Sequence, residues 1–454
     1  MDGNDGQDGV DGTDGQPGAN GLTPYIGTNG HWWIGETDTG IAAQGATGET
    51  GAKGDKGDTG ATGQTGAAGT NGTNGQDGQN GQDGSSGQNG TNGLSAYEIY
   101  LLYHPAYTGT EAQWIDDLVN GRLAESDPYT EGLVFALSTD GLTYAITGYT
   151  GTATEVVIPG RYYGKQITSI ASQAFYNCGG ITSITIPASV TGIGEGAFSG
   201  CSGLAGITLP FVGASKTATG TSALFGYIFG TASYTGGTST QQYYASNTST
   251  TYYIPTALRT VVIASATKLE YGAFYGCSGL TSITIPASVT SIGSYAFSGC
   301  SGITSITIPD SVTSIGGGAF SGTAWYNAQP NGLVYAGKVA YKYKGTMPAN
   351  TSITLLAGTK GIAGQAFYNC SGLTSITIPA GVTSIGESAF YYCSGLTSIT
   401  IPAGVTSIGD IAFAYCSSLT VISYRGTEAE WNLIPKGILW NNNCPAVIVY
   451  DYED

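Results

Sequence analysis

Charge is scarce in this chain: only 10% of its 454 residues are Asp, Glu, Lys or Arg. The 14 Lys and Arg are outnumbered by 31 acids, for a net charge of −17. Nucleic acids and anionic membranes need a clustered basic surface, so neither is an expected partner. No run of 18 apolar residues occurs, so no membrane insertion is expected. Histidine is limited to His31 and His104 and no C-x-x-C is present, so no metal site and no cofactor are expected. G-x-S-x-G is absent, and "GASKT" at Gly213–Thr217 lacks the glycines of a phosphate loop. No catalytic residue can be assigned, and a non-enzymatic protein is expected. The opening "MDGNDGQDGV" has neither the basic nor the apolar region of a secretory leader, which predicts another export route or a preceding segment.

Glycine, by contrast, is abundant. It falls at every third position in residues 1–21, and again from Gly45 to Gly93, where seventeen glycines follow without an error. A three-chain polyproline-type helix demands that spacing, because only hydrogen fits at its axis. At roughly 3 Å per residue the 45–93 block would form a rod of about 150 Å. Proline is almost missing from the triplets, with Pro17 alone. "GAKGDKGDTG" offers Lys53, Asp55, Lys56 and Asp58 for exposed axial ion pairs instead, each worth under about 1 kcal/mol. Both blocks resemble the stalks of collagen-like bacterial and phage proteins.

Residues 22–44 interrupt the stalk. Asn29-Gly30 between alternating apolar residues predicts a hairpin, and Trp32 and Trp33 suit a small β knot. Residues 94–126 predict two short helices, Ala96–Tyr103 and Glu111–Val119. Ser95 with Glu98, and Thr110 with Gln113, have capping-box spacing. Their few apolar residues are too few for an independent core, so a helical trimerisation clamp is expected. Asp116 and Asp117 are read as a solvated helix face.

From residue 127 onward the chain repeats. Phe175 and Phe198 lie 23 residues apart, as do Phe274, Phe297 and Phe320, and again Phe367, Phe390 and Phe413. "CSGLTSITIPAGVTSIG" occurs verbatim at Cys370–Gly386 and Cys393–Gly409. In "LTSITIP" the period of two turns Ile376 and Ile378 inward and Ser375 and Thr377 outward, and Pro379 ends the strand. "AFYYC" is too short for an α-helix and suits a tight turn. Such a unit cannot bury its apolar face alone, so a solenoid is expected. Seven cysteines (Cys178, Cys201, Cys277, Cys300, Cys370, Cys393, Cys416) hold one repeat position and are read as a stacked column of core fillers. The threonine column Thr185, Thr208, Thr284, Thr307, Thr377, Thr400 is the only pattern of an ice-binding kind.

The wording "VTSIGxxAFxxCxxLTSITIP" resembles the BspA-like leucine-rich repeat family over 127–454, including the closing "YRGTEAEWNLI". That resemblance implies a bacterial surface protein devoted to adhesion, located outside the cell. The fold class is therefore mainly β: a leucine-rich-repeat solenoid behind a collagen-like triple-helical stalk and a small helical trimerisation segment.

Two insertions break the 23-residue step. Near 211–258, a mixture of Tyr, Ser, Gly, Thr and Asn is of the kind adaptable binding loops use, and Tyr243, Tyr244, Tyr252 and Tyr253 are candidate ligand contacts. Near 322–361, "GLVYAGKVAYKYKGTMP" predicts a half-buried hairpin. Its Lys338, Lys342 and Lys344 form the only basic cluster, a candidate dock for an anionic glycan. These features predict a homotrimeric fibre whose repeat heads bind a surface glycan or protein, either a bacterial adhesin or a phage tail fibre. A structural spacer without a ligand is the alternative.

Overall fold

The computed structural model describes residues 24–26, 28, 31–34, 37–42, 97–98, 101, 109–119 and 127–451. They belong to two compact units, 1–124 and 125–454. The Gly-x-x blocks and the Asn29-Gly30 turn lie outside the described residues.

In the first unit, Pro24–Ile26, His31–Ile34 and Thr37–Ala42 form an antiparallel sheet with Tyr25 opposite Trp33. The helix Glu111–Val119 starts where its capping box predicts. The Thr110 amide donates to Gln113 Oε1 at 2.7 Å, and the Gln113 amide donates to Thr110 Oγ1 at 3.3 Å. Of the other expected helix, Tyr97, Glu98 and Leu101 are helical. The Tyr97 ring lies 5.8 Å from Trp114 and its hydroxyl donates to the Gly109 carbonyl. Trp114 and Leu118 are thus buried within a single chain, before any partner is added.

The second unit is the solenoid. One coil consists of a longer strand, a short strand and a tight turn carrying Ala-Phe, as in Leu373–Thr377, Ser384–Ile385 and Ala389–Phe390. Longer strands of successive coils pair in parallel, placing Val156, Ile184, Ile207, Val261 and Ile283 in one register. Short strands do the same with Ile362, Ile385 and Ile408. All eight are buried, while Ser375 and Thr377 face outward as the period of two requires. The threonine column is not continuous, because Val262 stands in register between Thr208 and Thr284.

The phenylalanines stack along the axis. Phe274 to Phe297 measures 5.4 Å and Phe297 to Phe320 measures 5.5 Å between ring centres, with planes 8° and 4° apart. Phe367, Phe390 and Phe413 repeat the geometry at 5.3 and 5.1 Å. In the regular coils the Phe amide donates to the alanine carbonyl of the next coil, as from Phe175, Phe274, Phe297, Phe367 and Phe390, the last to Ala412 at 2.8 Å. The turn reverses direction through two left-handed residues, two before and two after the phenylalanine. The second position holds Asn177, Gly200, Gly276, Gly299, Gly322 and Asn369 in succession, with φ between 58° and 82°. Glycine and asparagine are the residues that tolerate this conformation best.

The aromatic column runs unbroken through the first insertion and is extended past Phe320 at the second. Phe229 and Phe225 bridge Phe198 to Phe274 at the first, and Tyr341 lies 5.3 Å from Phe320 at the second. At one end the hairpin Leu133–Leu137 with Tyr144–Tyr149 covers the first coil, and Phe135 stacks on Tyr162 at 3.6 Å. At the other, the helix Glu428–Leu433, capped reciprocally by Thr427 and Glu430, brings Trp431 against Tyr424 and Trp440. Such caps are what an open-ended solenoid needs to shield its core.

Phe297 has a stacked ring on both sides, so Phe297→Ala is expected to lower unfolding stability by about 3–5 kcal/mol. A urea titration followed by far-UV circular dichroism would measure it, and a loss below about 1 kcal/mol would contradict the column as a main source of stability.

Candidate functional site

The first insertion is a hairpin, Gly237–Ala245 with Thr248–Pro255, whose turn uses Asn247 at φ 62°. Its root is locked to the solenoid by Gln242, which is 0% exposed. Gln242 Oε1 accepts from the Gly226 amide at 2.7 Å, and Nε2 donates to the Tyr275 carbonyl at 3.1 Å. A buried amide so placed satisfies backbone groups that would otherwise be left unpaired.

Tyr252 does not serve as a ligand contact. It is 1% exposed, its hydroxyl donates to the Thr221 carbonyl at 3.0 Å, and its ring fills the space beside Gly226, where a Cβ would lie 2.4 Å away. The strand alternation that turns Tyr253 outward turns Tyr252 into the core. Tyr243 rests on Tyr275 with ring centres 4.8 Å apart, half-buried. Tyr244 sits at a bulge in the ladder between Tyr243 and Ala245, also half-buried, and Tyr253 lies opposite Ser239.

What the hairpin creates is a cleft of about 330 Å³ against the solenoid. Thr238, Thr240 and Thr256 line one side and Cys277, Ser278 and Ser301, from two successive coils, the other. None of the four tyrosines lines it. Thr238 and Thr256 share a hydrogen bond at 2.8 Å, and Arg259 at the rim donates to the Thr256 and Leu258 carbonyls. The only signal in the sequence was the alternation Thr238, Thr240, Gln242, three polar residues on the inward parity of a strand. The segment is not detachable either, since Phe211, Phe225, Phe229, Tyr252 and Leu258 all belong to buried packing.

The second hairpin, Gly332–Ala336 with Val339–Lys344, carries the three lysines, but not as an open basic face. Lys344 Nζ donates to the carbonyls of Tyr326 and Asn327, capping the helix Ala324–Asn327, and to that of Gln329. Lys342 Nζ donates to the Gln365 carbonyl at 2.7 Å, and burial pulls its ammonium below the ordinary lysine value. Lys338 pairs with Asp310 at 2.6 Å on the exposed surface. A bulge between Val334 and Tyr335 breaks the expected parity, so two of the three cations cap carbonyls.

All eight cysteines are free thiols. Cys201, Cys300, Cys393 and Cys416 each direct Sγ at the phenylalanine carbonyl of the preceding coil, at 3.0–3.2 Å. The column therefore consists of weak donors as well as fillers. At the corresponding place after Phe320, Thr323 donates to the Phe320 carbonyl and caps the helix Ala324–Asn327. Burial pushes the thiols of Cys201, Cys300 and Cys416 up to about 12, the opposite of what nucleophilic chemistry needs. Among the described residues no group of three His, Cys, Asp or Glu could hold a metal ion, and no helix is long and apolar enough to cross a membrane.

The coil geometry, with its ladder of short strands and its phenylalanine and cysteine columns, defines a leucine-rich-repeat solenoid. The family described as BspA type leucine rich repeat region matches residues 155–226, 248–343 and 337–432, over half of the chain, and the chain belongs to that family. Residues 42–97 match the collagen triple helix repeat. Among solved structures, a leucine-rich repeat protein from Bacteroides ovatus is 22% identical, with 70% of this chain and 92% of that one covered at a TM-score of 0.27. A leucine rich cell surface protein from Faecalibacterium prausnitzii is 24% identical, covering 72% and 96% at 0.26. The pneumococcal vaccine antigen PcpA is 16% identical, covering 73% and 89% at 0.26. No curated protein matches the chain.

Two outcomes are expected. Iodoacetamide at about pH 8 leaves Cys201, Cys300 and Cys416 unlabelled in the folded chain and labels them after denaturation, read by mass spectrometry. Their raised values favour the fold fully below the ordinary thiol value of 9.0, and that contribution is lost as pH rises toward about 12. Rapid native labelling of Cys300 would contradict the closed column. Lys344→Ala lowers stability by about 1–3 kcal/mol through the stranded carbonyls, while Lys338→Ala changes it by less than about 0.5 kcal/mol. Chemical denaturation of the two variants side by side tests the contrast.

Proposed function

We propose that this protein is a non-enzymatic, surface-displayed adhesin, a trimer in which the collagen-like segment is the stalk and each leucine-rich-repeat domain a binding head. The observation that carries this reading is the cleft beside the hairpin. Its volume of about 330 Å³ is in the range of ligand sites, and its walls are hydroxyl-rich. It forms where the inserted hairpin meets two successive coils. Many of the coils elsewhere repeat the same outward serines and threonines. A surface glycan or an extended peptide suits the Thr and Ser lining. Three such heads on one stalk raise a weak single-site affinity through effective concentration.

The test is binding of the fluorescently labelled full chain to bacterial cells, mucin and epithelial cells, beside Thr240→Arg, which fills the cleft. Binding of the native chain that falls about tenfold or more in the variant is the expected result. Binding to bacteria alone would place the protein on a virion as a tail fibre. Equal binding by both chains would overturn the cleft as the site, and no binding would favour a structural spacer. Sedimentation is expected at three times the chain mass, and a stable monomer would rule out the fibre.

A further inference from the structure

Tyrosines gather on the outer faces of the last regular coils. Tyr368 and Tyr391 directly follow Phe367 and Phe390, and Tyr392 and Tyr415 come second after Phe390 and Phe413. Their rings form two stacked pairs. Tyr368 lies over Tyr391 at 5.1 Å and 11°, and Tyr392 over Tyr415 at 4.7 Å and 4°. Tyr391 stands edge-on to both members of the second pair, joining four phenols into one cluster. Tyr368 and Tyr392 are 45% and 44% exposed.

The backbone beneath this cluster is under strain. Tyr392 and Tyr415 have φ of 56° and 61°, at the turn position that six other coils give to glycine or asparagine. A bulky L-residue rarely adopts that conformation, and outliers of this kind gather at ligand clamps and other functional sites. Core packing does not require tyrosine here, because the same turn closes over the same phenylalanine column with Gly276, Gly299 or Asn369. The strain is accepted twice in succession, and its visible product is a pair of partly exposed rings.

The chemistry of the cluster narrows what would cover it. Among the described residues, Lys342 is the one cation placed over these rings, 5.7 Å from the centre of Tyr368, and its ammonium already donates to the Gln365 carbonyl. The residues following the turns include Ser371, Ser394 and Ser417, hydroxyls and not ions. In a chain of net charge −17, this patch offers ring faces with a negative quadrupole beside phenol and serine hydroxyls. The complement is an uncharged polyol with polarised C–H faces.

We propose that Tyr368, Tyr391, Tyr392 and Tyr415 form a stacking platform for neutral carbohydrate. Pyranose C–H groups meet the rings and sugar hydroxyls exchange hydrogen bonds with the phenols. This rests on the reading of the repeats as a binding head but uses residues separate from the hairpin cleft.

The experiment titrates the full chain with maltohexaose, cellohexaose, mannohexaose and N-acetyllactosamine oligomers by calorimetry, with sialyllactose as the anionic counterpart. The variants are Tyr392→Gly, Tyr415→Gly and the pair, each restoring a residue type the other coils use. Thr240→Arg is the control for the cleft. Saturable binding of a neutral oligosaccharide is expected, weakened about tenfold or more by the pair of glycine substitutions. The thermal midpoint of the glycine variants is expected to equal or exceed that of the native chain. Any of four results would overturn the proposal: no binding of neutral sugar at millimolar concentration, binding that survives both glycine substitutions, preference for sialyllactose, or a lowered thermal midpoint that makes the tyrosines structural. If the glycine variants lose adhesion to cells while no oligosaccharide ever binds, the cluster is a protein-docking patch. Loss of sugar binding in Thr240→Arg alone would move the sugar to the cleft and leave the head reading intact.

Discussion

A single coil of this solenoid has only half a core. Its Ile and Phe side chains point into a space that its own backbone cannot close, and the adjoining coils supply the missing contacts. Everything else in the domain follows from that shared burial. The phenylalanine rings stack at 5.1–5.5 Å because the strands beneath them advance by one ladder step, and the turns bond from coil to coil in the same register. Since every interior coil meets nearly the same neighbours, the same letters satisfy it, and verbatim repetition is a solution with no penalty.

The places where the repeat is broken show how strict the constraint is. The first insertion continues the ring column with Phe229 and Phe225 and fills the cysteine side with Gln242, which bonds to Gly226 and Tyr275 and reaches to within 3.5 Å of Cys277 Sγ. The second places Tyr341 next to Phe320, where its hydroxyl accepts from the Phe320 amide at 2.9 Å. At the end of the stack, Trp440 meets Phe413 edge-on and Cys444 lies near Cys416. Each interruption thus substitutes groups of the same kind, a large ring or a small polar group near the carbonyls.

Surface individuality arises from these same irregularities. The hairpin that leaves the stack creates a cleft against two coils, and the two strained tyrosines display rings where other coils have only a glycine or an asparagine. The basic hairpin, by contrast, shows that a cluster of cations in sequence need not be a surface. Lys344 and Lys342 are long enough to reach the carbonyls of a neighbouring helix and coil, and their ammonium groups donate there.

The sequence by itself determined the architecture. A 23-residue step and strict period two in "LTSITIP" together admit one backbone solution, because they encode local geometry. The cysteines as core fillers and the capping box at Thr110 and Gln113 were legible for the same reason. The candidate sites were not. Whether Tyr252 or Tyr253 faces solvent depends on which face of the hairpin lands on the stack, and the use of Lys344 as a helix cap depends on a helix 17 residues away in sequence. The cleft is a gap between two elements, and the tyrosine cluster joins residues from three coils. Both exist only after the coils are stacked, since contact across coils is a property of the tertiary fold and not of any local run of letters.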